Sequence, residues 1–282
     1  MNAPAHRIES FTRDGLRFDV SDRGPIDGDV IVLLHGFPER ASCWDAVVPT
    51  LNAQGYRTLA PDQRGYSPGA RPPRRRDYAS GELVDDIAEL ITVAGGRAHV
   101  VGHDWGATIA WSIAADRPDL VRTLTALSVP HPTAFIRAAT RTRQGLKSWY
   151  MVFFQTPRVP EASAARPGGR MDRSLRAAGM TASDVERFRA EIVDYGALTG
   201  GLNWYRALPF TDRKRFGRRV TVPTTMVWSD GDSFIDRAGV EGCADLVRAP
   251  YELVVLEGVN HWIPTQAADA AAAAILARTL SS

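Results

Sequence analysis

An aspartate stands where the chain is expected to turn sharply from a strand into a helix. The segment Gly102-His103-Asp104-Trp105-Gly106 follows a short apolar run and precedes a helical pattern. Small residues two places before and after Asp104 permit a tight turn that lifts its side chain clear of a sheet. A carboxylate held there is suited to displacement at an sp³ carbon, which leaves an alkyl ester on the protein. Asp104 is therefore the predicted nucleophile, and the alternative is that it only caps the helix.

A second turn is expected to face the first. The segment His35-Gly36-Phe37-Pro38-Glu39 follows another apolar run, and Pro38 fixes this turn, for which a cis bond is one option. The backbone N–H groups of Phe37 and Trp105 are predicted to form an oxyanion hole. Phe37, Pro38, Trp105 and His131 are expected to contact the substrate.

His261 is the best placed of the six histidines to act as a general base. It follows the last predicted strand and precedes the C-terminal helical pattern, so its loop should overhang the nucleophile. A carboxylate should orient it. Asp230 and Asp232 both follow another predicted strand. We predict that Asp232 is this carboxylate, with Asp230 as the fallback. Two histidines beside the turns, His35 and His103, are expected to pack or hydrogen-bond locally.

The elements that position these residues alternate between strands and helices. Continuous apolar runs of this kind predict a parallel sheet buried on both faces, and the alternation predicts a doubly wound α/β fold. An antiparallel edge hairpin is expected at 7–11 and 16–21. The predicted strands are 30–34, 56–60, 98–101, 124–129, 224–229 and 251–256, and the clearest predicted helices are 82–93, 105–115 and 266–280.

Charge divides the 282-residue chain into two unlike parts. Residues 130–219 hold 17 Lys and Arg against 7 Asp and Glu, a net charge of +10, whereas the remainder carries −8. The basic segment also lacks apolar strands. We predict a core made of residues 1–129 and 220–282 with a helical lid inserted at 130–219. One hypothesis is that the basic lid favours substrates with an anionic group.

Several classes of protein are excluded or disfavoured. Two cysteines cannot form a disulfide framework, and neither has metal-ligand spacing, so a secreted disulfide scaffold and a zinc module are excluded. We expect no metal and no cofactor. No apolar run is long enough to span a membrane, and a cytoplasmic location without membrane insertion is expected. The arginine run 74–76 is interpreted as a solvated loop, so no nucleic-acid partner is expected. The oligomeric state stays open.

These motifs resemble the α/β-hydrolase superfamily and, most closely, its epoxide hydrolases. The chain order Asp104, Asp232, His261 is the order found in that fold. The stretches 149–157 and 201–206 are similar to the two epoxide hydrolase segments that carry lid tyrosines. The resemblance implies that Tyr150 and Tyr205 hydrogen-bond the epoxide oxygen, while the partners of the protein are a small epoxide and water. The expected product is a vicinal diol.

Two other functions remain open. A haloalkane dehalogenase shares an Asp nucleophile followed by Trp, but many dehalogenases have Asn where this chain has Phe37. The two lid tyrosines also have no dehalogenase role. A non-catalytic ligand receptor on the same fold is the alternative from another class, since a fold does not determine a function.

Overall fold

The computed structural model describes residues 6–212 and 217–281, and a mixed sheet of eight strands runs through it. The strand order is β1-β2-β4-β3-β5-β6-β7-β8, with β1 and β2 antiparallel at one edge and the other six strands parallel. The strands are β1 (Ser10–Arg13), β2 (Leu16–Arg23), β3 (Val30–Leu34), β4 (Arg57–Pro61), β5 (Ala98–His103), β6 (Val121–Leu127), β7 (Thr224–Ser229) and β8 (Tyr251–Leu256).

Helices cover the sheet on both faces, and others lie in the segment between β6 and β7. They are α1 (Val48–Ala53), α2 (Ser80–Val93), α3 (Trp105–Asp116), α4 (Pro132–Arg141), α5 (Gln144–Lys147), α6 (Trp149–Gln155), α7 (Val159–Ala165), α8 (Arg170–Ala177), α9 (Ala182–Phe188), α10 (Leu198–Arg206), α11 (Arg237–Glu241), α12 (Ile263–Gln266) and α13 (Ala268–Leu280). The predicted α/β fold with inserted lid helices is confirmed.

Strand β3 shows why its sequence is apolar throughout. All five residues are buried, and successive side chains point to opposite faces of the sheet. Val30 and Val32 pack in one core cluster with α2 and α3, whereas Ile31 and Leu33 pack in the other with α1 and α13. A strand buried on both faces has no polar side to alternate with.

The seven helices α4 to α10 lie between β6 and β7 in the chain, and we call them the lid helices. Arg206 of α10 ties three of them together: its guanidinium donates to Glu161 of α7 at 2.7 Å and to the carbonyl of Phe154 of α6. Asn260 and Gln266 of the core donate to the Gly179 carbonyl, which anchors the far side of the lid helices. The lid boundaries at 130 and 219 stay a prediction, and residues 213–216 lie outside the described residues.

Several predicted boundaries differ from the structure. Most are shifted by one or two residues, and the first hairpin strand, predicted at 7–11, is β1 (Ser10–Arg13). Two further differences are caused by single residues. The strand predicted at 124–129 is β6, which begins at Val121 and ends at Leu127, because Ser128 has a φ of +66° and leaves the extended conformation. The tail helix predicted from 266 is interrupted at Ala267, which has φ −140° and ψ 45°. Within the described ranges, the structure contains no helix with the length and apolarity needed to cross a membrane.

Candidate active site

Asp104 lies at the tip of the turn between β5 and α3. Its backbone has φ +53° and ψ −121°, a sparsely populated region that costs free energy for a residue with a side chain. The flanking glycines leave room for this turn. A Cβ on Gly102 would lie 2.2 Å from the Gly106 carbonyl oxygen, and one on Gly106 would lie 2.1 Å from that of Leu34. The glycine spacing therefore lets β3, β5 and α3 approach closely enough to raise Asp104 above the sheet.

His261 and Asp232 meet Asp104 from the loops after β8 and β7. The Nε2 atom of His261 lies 3.4 Å from Oδ2 of Asp104, and its Nδ1 lies 2.7 Å from Oδ2 of Asp232. The other oxygen of Asp232 accepts hydrogen bonds from the backbone N–H groups of Phe234 and Ile235. The three side chains thus form one hydrogen-bonded series, with the imidazole between two buried carboxylates.

Electrostatic interactions in this series favour an ion pair. Burial by itself works to lower the pKa of His261, but the charge of Asp232 and the hydrogen bond to Asp104 raise it to about 10. Burial likewise works to raise the pKa of Asp104, and hydrogen bonding and charge from His261 bring it below its usual value. Asp104 is therefore a carboxylate, and His261 is an imidazolium at neutral pH in the unreacted site.

The turn after β3 closes over Asp104. The backbone N–H of Phe37 donates to Oδ1 of Asp104 at 2.8 Å. A Cβ on Gly36 would lie 2.4 Å from the Cβ of Asp104, so this turn approaches the carboxylate only because residue 36 is glycine. The peptide bond between Phe37 and Pro38 is cis. Trp105 is the first residue of α3, whose first N–H groups have no partner within the helix.

Two lid tyrosines face the carboxylate from α6 and α10. The rings of Tyr150 and Tyr205 lie 6.1 Å apart between centroids, and the Tyr205 ring lies 5.0 Å from that of Trp105. Burial and the negative charge of Asp104 raise the pKa of both phenols. Both hydroxyls therefore keep their protons at neutral pH and can donate hydrogen bonds.

Two cavities meet at Asp104, Tyr150 and Tyr205. The larger, about 590 Å³, also contacts Phe37, Pro38 and His261, and the smaller, about 230 Å³, contacts Trp105 and His131. His131 also accepts a hydrogen bond from the N–H of Thr133 at the start of α4. The residues predicted to contact substrate thus line one cavity or the other. A molecule reacting at Asp104 has room for a substituent on each side.

His103 differs from its expected local role. Its Nε2 atom donates to the carbonyl of His261 at 2.8 Å, and Ser128 donates to the same oxygen. Its Nδ1 atom lies 3.4 Å from a carboxylate oxygen of buried Glu39. His103 therefore holds the backbone of the predicted base rather than only its own turn. Asp230, the fallback acid, accepts from the N–H of Gly258 instead.

A lid helix holds the loop that carries Asp232. Gln144 of α5 is buried, donates to the carbonyl of Phe234 at 2.8 Å and accepts from the N–H of Asp236 at 2.7 Å. Lys147, one turn later, donates to the carbonyls of Asp232 and Ile235. A polar Gln three residues before a lysine on a short helix carries no signal that predicts such contacts.

Phe234 links the lid tyrosine to the predicted base. Its ring lies 5.4 Å from that of Tyr150 and 5.0 Å from that of His261, both in edge-to-face geometry. Because its backbone N–H also donates to Asp232, one residue contacts three predicted site residues. Its position two residues after Asp232 could have suggested a role in this loop.

Comparison with known proteins agrees with this fold. A family model described as alpha/beta hydrolase fold matches residues 29–268, which is most of the chain. The chain therefore belongs to the α/β-hydrolase family.

Individual relatives narrow the family further. The chain is 37% identical over 265 residues to AB hydrolase superfamily protein YfhM of Bacillus subtilis, covering 91% of this chain and 92% of that protein. It is 31% identical to Epoxide hydrolase A of Mycobacterium tuberculosis, covering 98% and 97%. The crystal structure of Epoxide Hydrolase A from Mycobacterium thermoresistibile superposes with a TM-score of 0.82 at 27% identity, covering 95% and 96%. Within the α/β-hydrolases, the chain groups with the epoxide hydrolase family.

Proposed function

We propose that this chain is an epoxide hydrolase that converts a small epoxide and water into a vicinal diol. The observation that carries the proposal is the arrangement around Asp104: a buried carboxylate at a strained turn faces two neutral tyrosine hydroxyls across a cavity. A carboxylate of this kind can attack an epoxide carbon. The phenol hydroxyls can hydrogen-bond the ring oxygen and protonate it when its bond to that carbon breaks.

In the first step, a carboxylate oxygen of Asp104 bonds to an epoxide carbon while the ring C–O bond breaks. Tyr150 and Tyr205 hydrogen-bond the ring oxygen, and one of them donates its proton to the departing alkoxide. Ester formation removes the negative charge of Asp104, which had helped to raise the pKa of His261. The imidazolium then releases its proton to the tyrosinate, through water in the larger cavity that both contact.

In the second step, neutral His261 accepts a proton from water, which attacks the ester carbonyl of Asp104. Asp232 orients the imidazole and stabilises its charged form. The N–H groups of Phe37 and Trp105 stabilise the tetrahedral oxyanion. As the tetrahedral intermediate collapses, its bond to the diol oxygen breaks and the departing alkoxide takes the proton of the newly added hydroxyl. The diol leaves, and the Asp104 carboxylate again lies beside a His261 imidazolium.

The shape of the cavities bears on the substrate. Both are lined mainly by apolar and aromatic side chains, and they lie on either side of Asp104. This geometry favours epoxides with apolar substituents on both carbons, with the bulkier group in the larger cavity. From the sequence we also propose that the lid extends from residue 130 to residue 219 and that the protein is cytoplasmic.

The two alternative functions are less well supported. A dehalogenase needs donors for a halide, and here the side chain after Gly36 is Phe37, whose ring packs edge to face on Tyr205. A ligand receptor would not need the unfavourable backbone of Asp104 or its ion pair with His261.

The test of the proposal is to trap the ester. His261→Gln should be alkylated by an epoxide but hydrolyse the ester about 10² to 10⁴ times more slowly. Mass spectrometry should then find a protein adduct of the mass of the epoxide, located on Asp104, with Asp104→Asn as the unlabelled control. Single turnover of the wild type in H₂¹⁸O should place the label in Asp104. Label found directly in the first diol would exclude the covalent route.

A further inference from the structure

An apolar patch lies on the outer side of the lid helices. Of the ten large hydrophobic residues that are well exposed in the described part of the chain, seven fall between β6 and β7. Four of these follow one another on α5, α6 and the start of α7: Leu146, Trp149, Val152 and Val159, which we call the lid patch. Leu146, Trp149 and Val152 are 77%, 62% and 73% exposed. Exposed apolar patches of this kind mark interaction surfaces.

The lid patch is continuous with the mouth of the larger cavity. Leu146 and Trp149 belong to both, and the cavity runs from them past Phe153 to Asp104. The opposite side of α6 carries buried Phe154 and the reactive Tyr150. Whatever covers the patch therefore stands at the entrance to the site.

The sequence around the lid patch is strongly basic. From α4 to α8 the sequence contains nine Lys and Arg and only two carboxylates, Glu161 and Asp172. Both carboxylates already pair with arginines from later in the chain, Arg206 and Arg189. The flanking residues Arg141, Arg143 and Arg158 are exposed, and the structure gives them no ion-pair partner among the described residues.

These charges point outward more than into the cavity. Of the nine basic residues, Lys147 and Arg170 line the larger cavity, and the ammonium of Lys147 is engaged with the carbonyls of Asp232 and Ile235. The basic surface is thus better placed to meet a large anionic surface than to hold a small anionic substrate.

We propose that the lid patch docks on the surface of an anionic lipid bilayer, with Trp149 and its apolar neighbours among the headgroups and the arginines on the acidic lipids. Apolar side chains beside Lys and Arg are the combination that binds such interfaces. A second copy of this chain fits less well, because a two-fold contact would bring two strongly basic surfaces together. The patch would then admit apolar epoxides directly from the bilayer, a role that rests on the proposed function.

The binding test uses sucrose-loaded vesicles and the intact chain. One vesicle sample is phosphatidylcholine alone, and the other contains about one third phosphatidylglycerol. We expect sedimentation with the anionic vesicles to exceed that with neutral vesicles by about tenfold or more at ~0.1 M salt, and to be lost near ~1 M. Equal partitioning on the two lipids, or none on either, would overturn the proposal.

Variants distinguish binding through the lid patch from nonspecific adsorption to lipid. Val152→Ser with Val159→Ser should weaken partitioning about tenfold or more, since two exposed apolar side chains no longer enter the interface. The matched control is Leu280→Ser, an exposed apolar residue at the end of α13, which should leave partitioning unchanged. Arg143→Gln with Arg158→Gln should also weaken it, whereas Arg74→Gln with Arg75→Gln, exposed on a core loop, should not. Loss of partitioning in the control variants, but not in the lid-patch variants, would refute the assignment of the lid patch as the docking surface.

The remaining outcomes are also distinguishable. Concentration-dependent dimerisation that Val152→Ser abolishes, without vesicle binding, would assign the patch to a second copy and refute bilayer docking. Hydrolysis of a water-soluble epoxide by Val152→Ser should equal that of the wild type, because Val152 does not line either cavity. If the wild type bound anionic vesicles but hydrolysed no epoxide, the proposed function would fail while the docking surface stood.

Discussion

Asp104 raises the pKa of His261, and His261 lowers the pKa of Asp104, so the two side chains form an ion pair in the unreacted site. In the proposed mechanism, the carboxylate of Asp104 is the attacking group and must be ionised, whereas the imidazole of His261 must be neutral only once the ester has formed. The pKa of His261, raised to about 10 in the free protein, fits this sequence because alkylation removes one of the charges that raise it. One pair of residues can therefore serve both chemical steps.

The raised pKa of His261 predicts how stability depends on pH. A group whose folded-state pKa is raised stabilises the fold fully below its unfolded value, here about 6.5, and this contribution is lost as pH rises through about 10. Urea unfolding should give a free energy that falls over this range in the wild type and falls less in His261→Gln. Parallel curves for the two proteins would contradict the ion pair.

The two phenols predict a loss confined to epoxide opening. Tyr150→Phe and Tyr205→Phe should each slow alkylation of Asp104 by roughly 10- to 100-fold, because one hydroxyl still hydrogen-bonds the alkoxide, while ester hydrolysis changes little. Stopped-flow single turnovers separate the two rates. Tyr195→Phe, on the ring held between Arg40 and Arg71, is the control and should alter neither rate. Unchanged alkylation in both lid variants would refute their assignment.

At the scale of elements, α5 connects the lid helices to the loop of Asp232. Gln144 satisfies one carbonyl and one N–H of this loop, and Asp232 in turn satisfies two N–H groups of the same loop. The helix and the loop therefore form one hydrogen-bonded unit, and Tyr150 follows directly on α6. Movement of α5 would displace the acid and the tyrosine together.

We therefore predict that Gln144 acts as a positioning residue. Gln144→Ala leaves two backbone groups of half-buried residues unpaired, the Phe234 carbonyl and the Asp236 N–H, which should cost about 1–3 kcal/mol of unfolding free energy. It should also slow ester hydrolysis about tenfold while alkylation changes less, because Asp232 orients the base. Chemical unfolding and pre-steady-state kinetics measure the two effects. The control is the exposed Gln54→Ala, and equal slowing of both steps in Gln144→Ala would refute a positioning role.

At the scale of the whole molecule, a buried ion pair attaches the antiparallel edge to the parallel sheet. Asp22 of β2 accepts from the Nε of Arg57 of β4 at 3.0 Å and from the N–H of Ile8 at 2.7 Å. Both charged side chains are almost fully buried. Burial alone works to raise the pKa of Asp22, but the hydrogen bonds from Arg57 and Ile8 lower it. The N-terminal hairpin is thus held by charge as well as by the strand pairing.

Removing this charge should destabilise the protein strongly. Asp22→Asn removes the buried negative charge that faces the guanidinium of Arg57 and should cost about 3–5 kcal/mol of unfolding free energy. Asp45→Asn is the matched control: its pair with Arg23 is about half exposed, so its loss should cost less than about 1 kcal/mol. Urea unfolding at neutral pH measures both. Similar costs for the two variants would show that burial does not set the strength of these pairs.

Local sequence patterns predicted the parts of the fold that depend on nearby residues. The glycines around Asp104 predict the tight turn because the steric restriction acts within a few residues. The apolar strands predict a sheet covered on both faces, because a strand without polar side chains must be buried on both of its sides. This signal is also local. The boundary errors at β6 and at the C-terminal helix arise where single residues, Ser128 and Ala267, leave regular conformation.

By itself, the sequence determined which chemical groups are available and in what kind of element each lies, because strand, turn and helix patterns are local. It left Asp232 and Asp230 as alternatives, and only the tertiary structure brings Asp232 to His261 while Asp230 bonds to Gly258. The contact of His103 with the backbone of His261 and the hold of α5 on the acid loop were also decided there. Such contacts join segments far apart in the chain, and they depend on how whole elements pack rather than on the residues beside them.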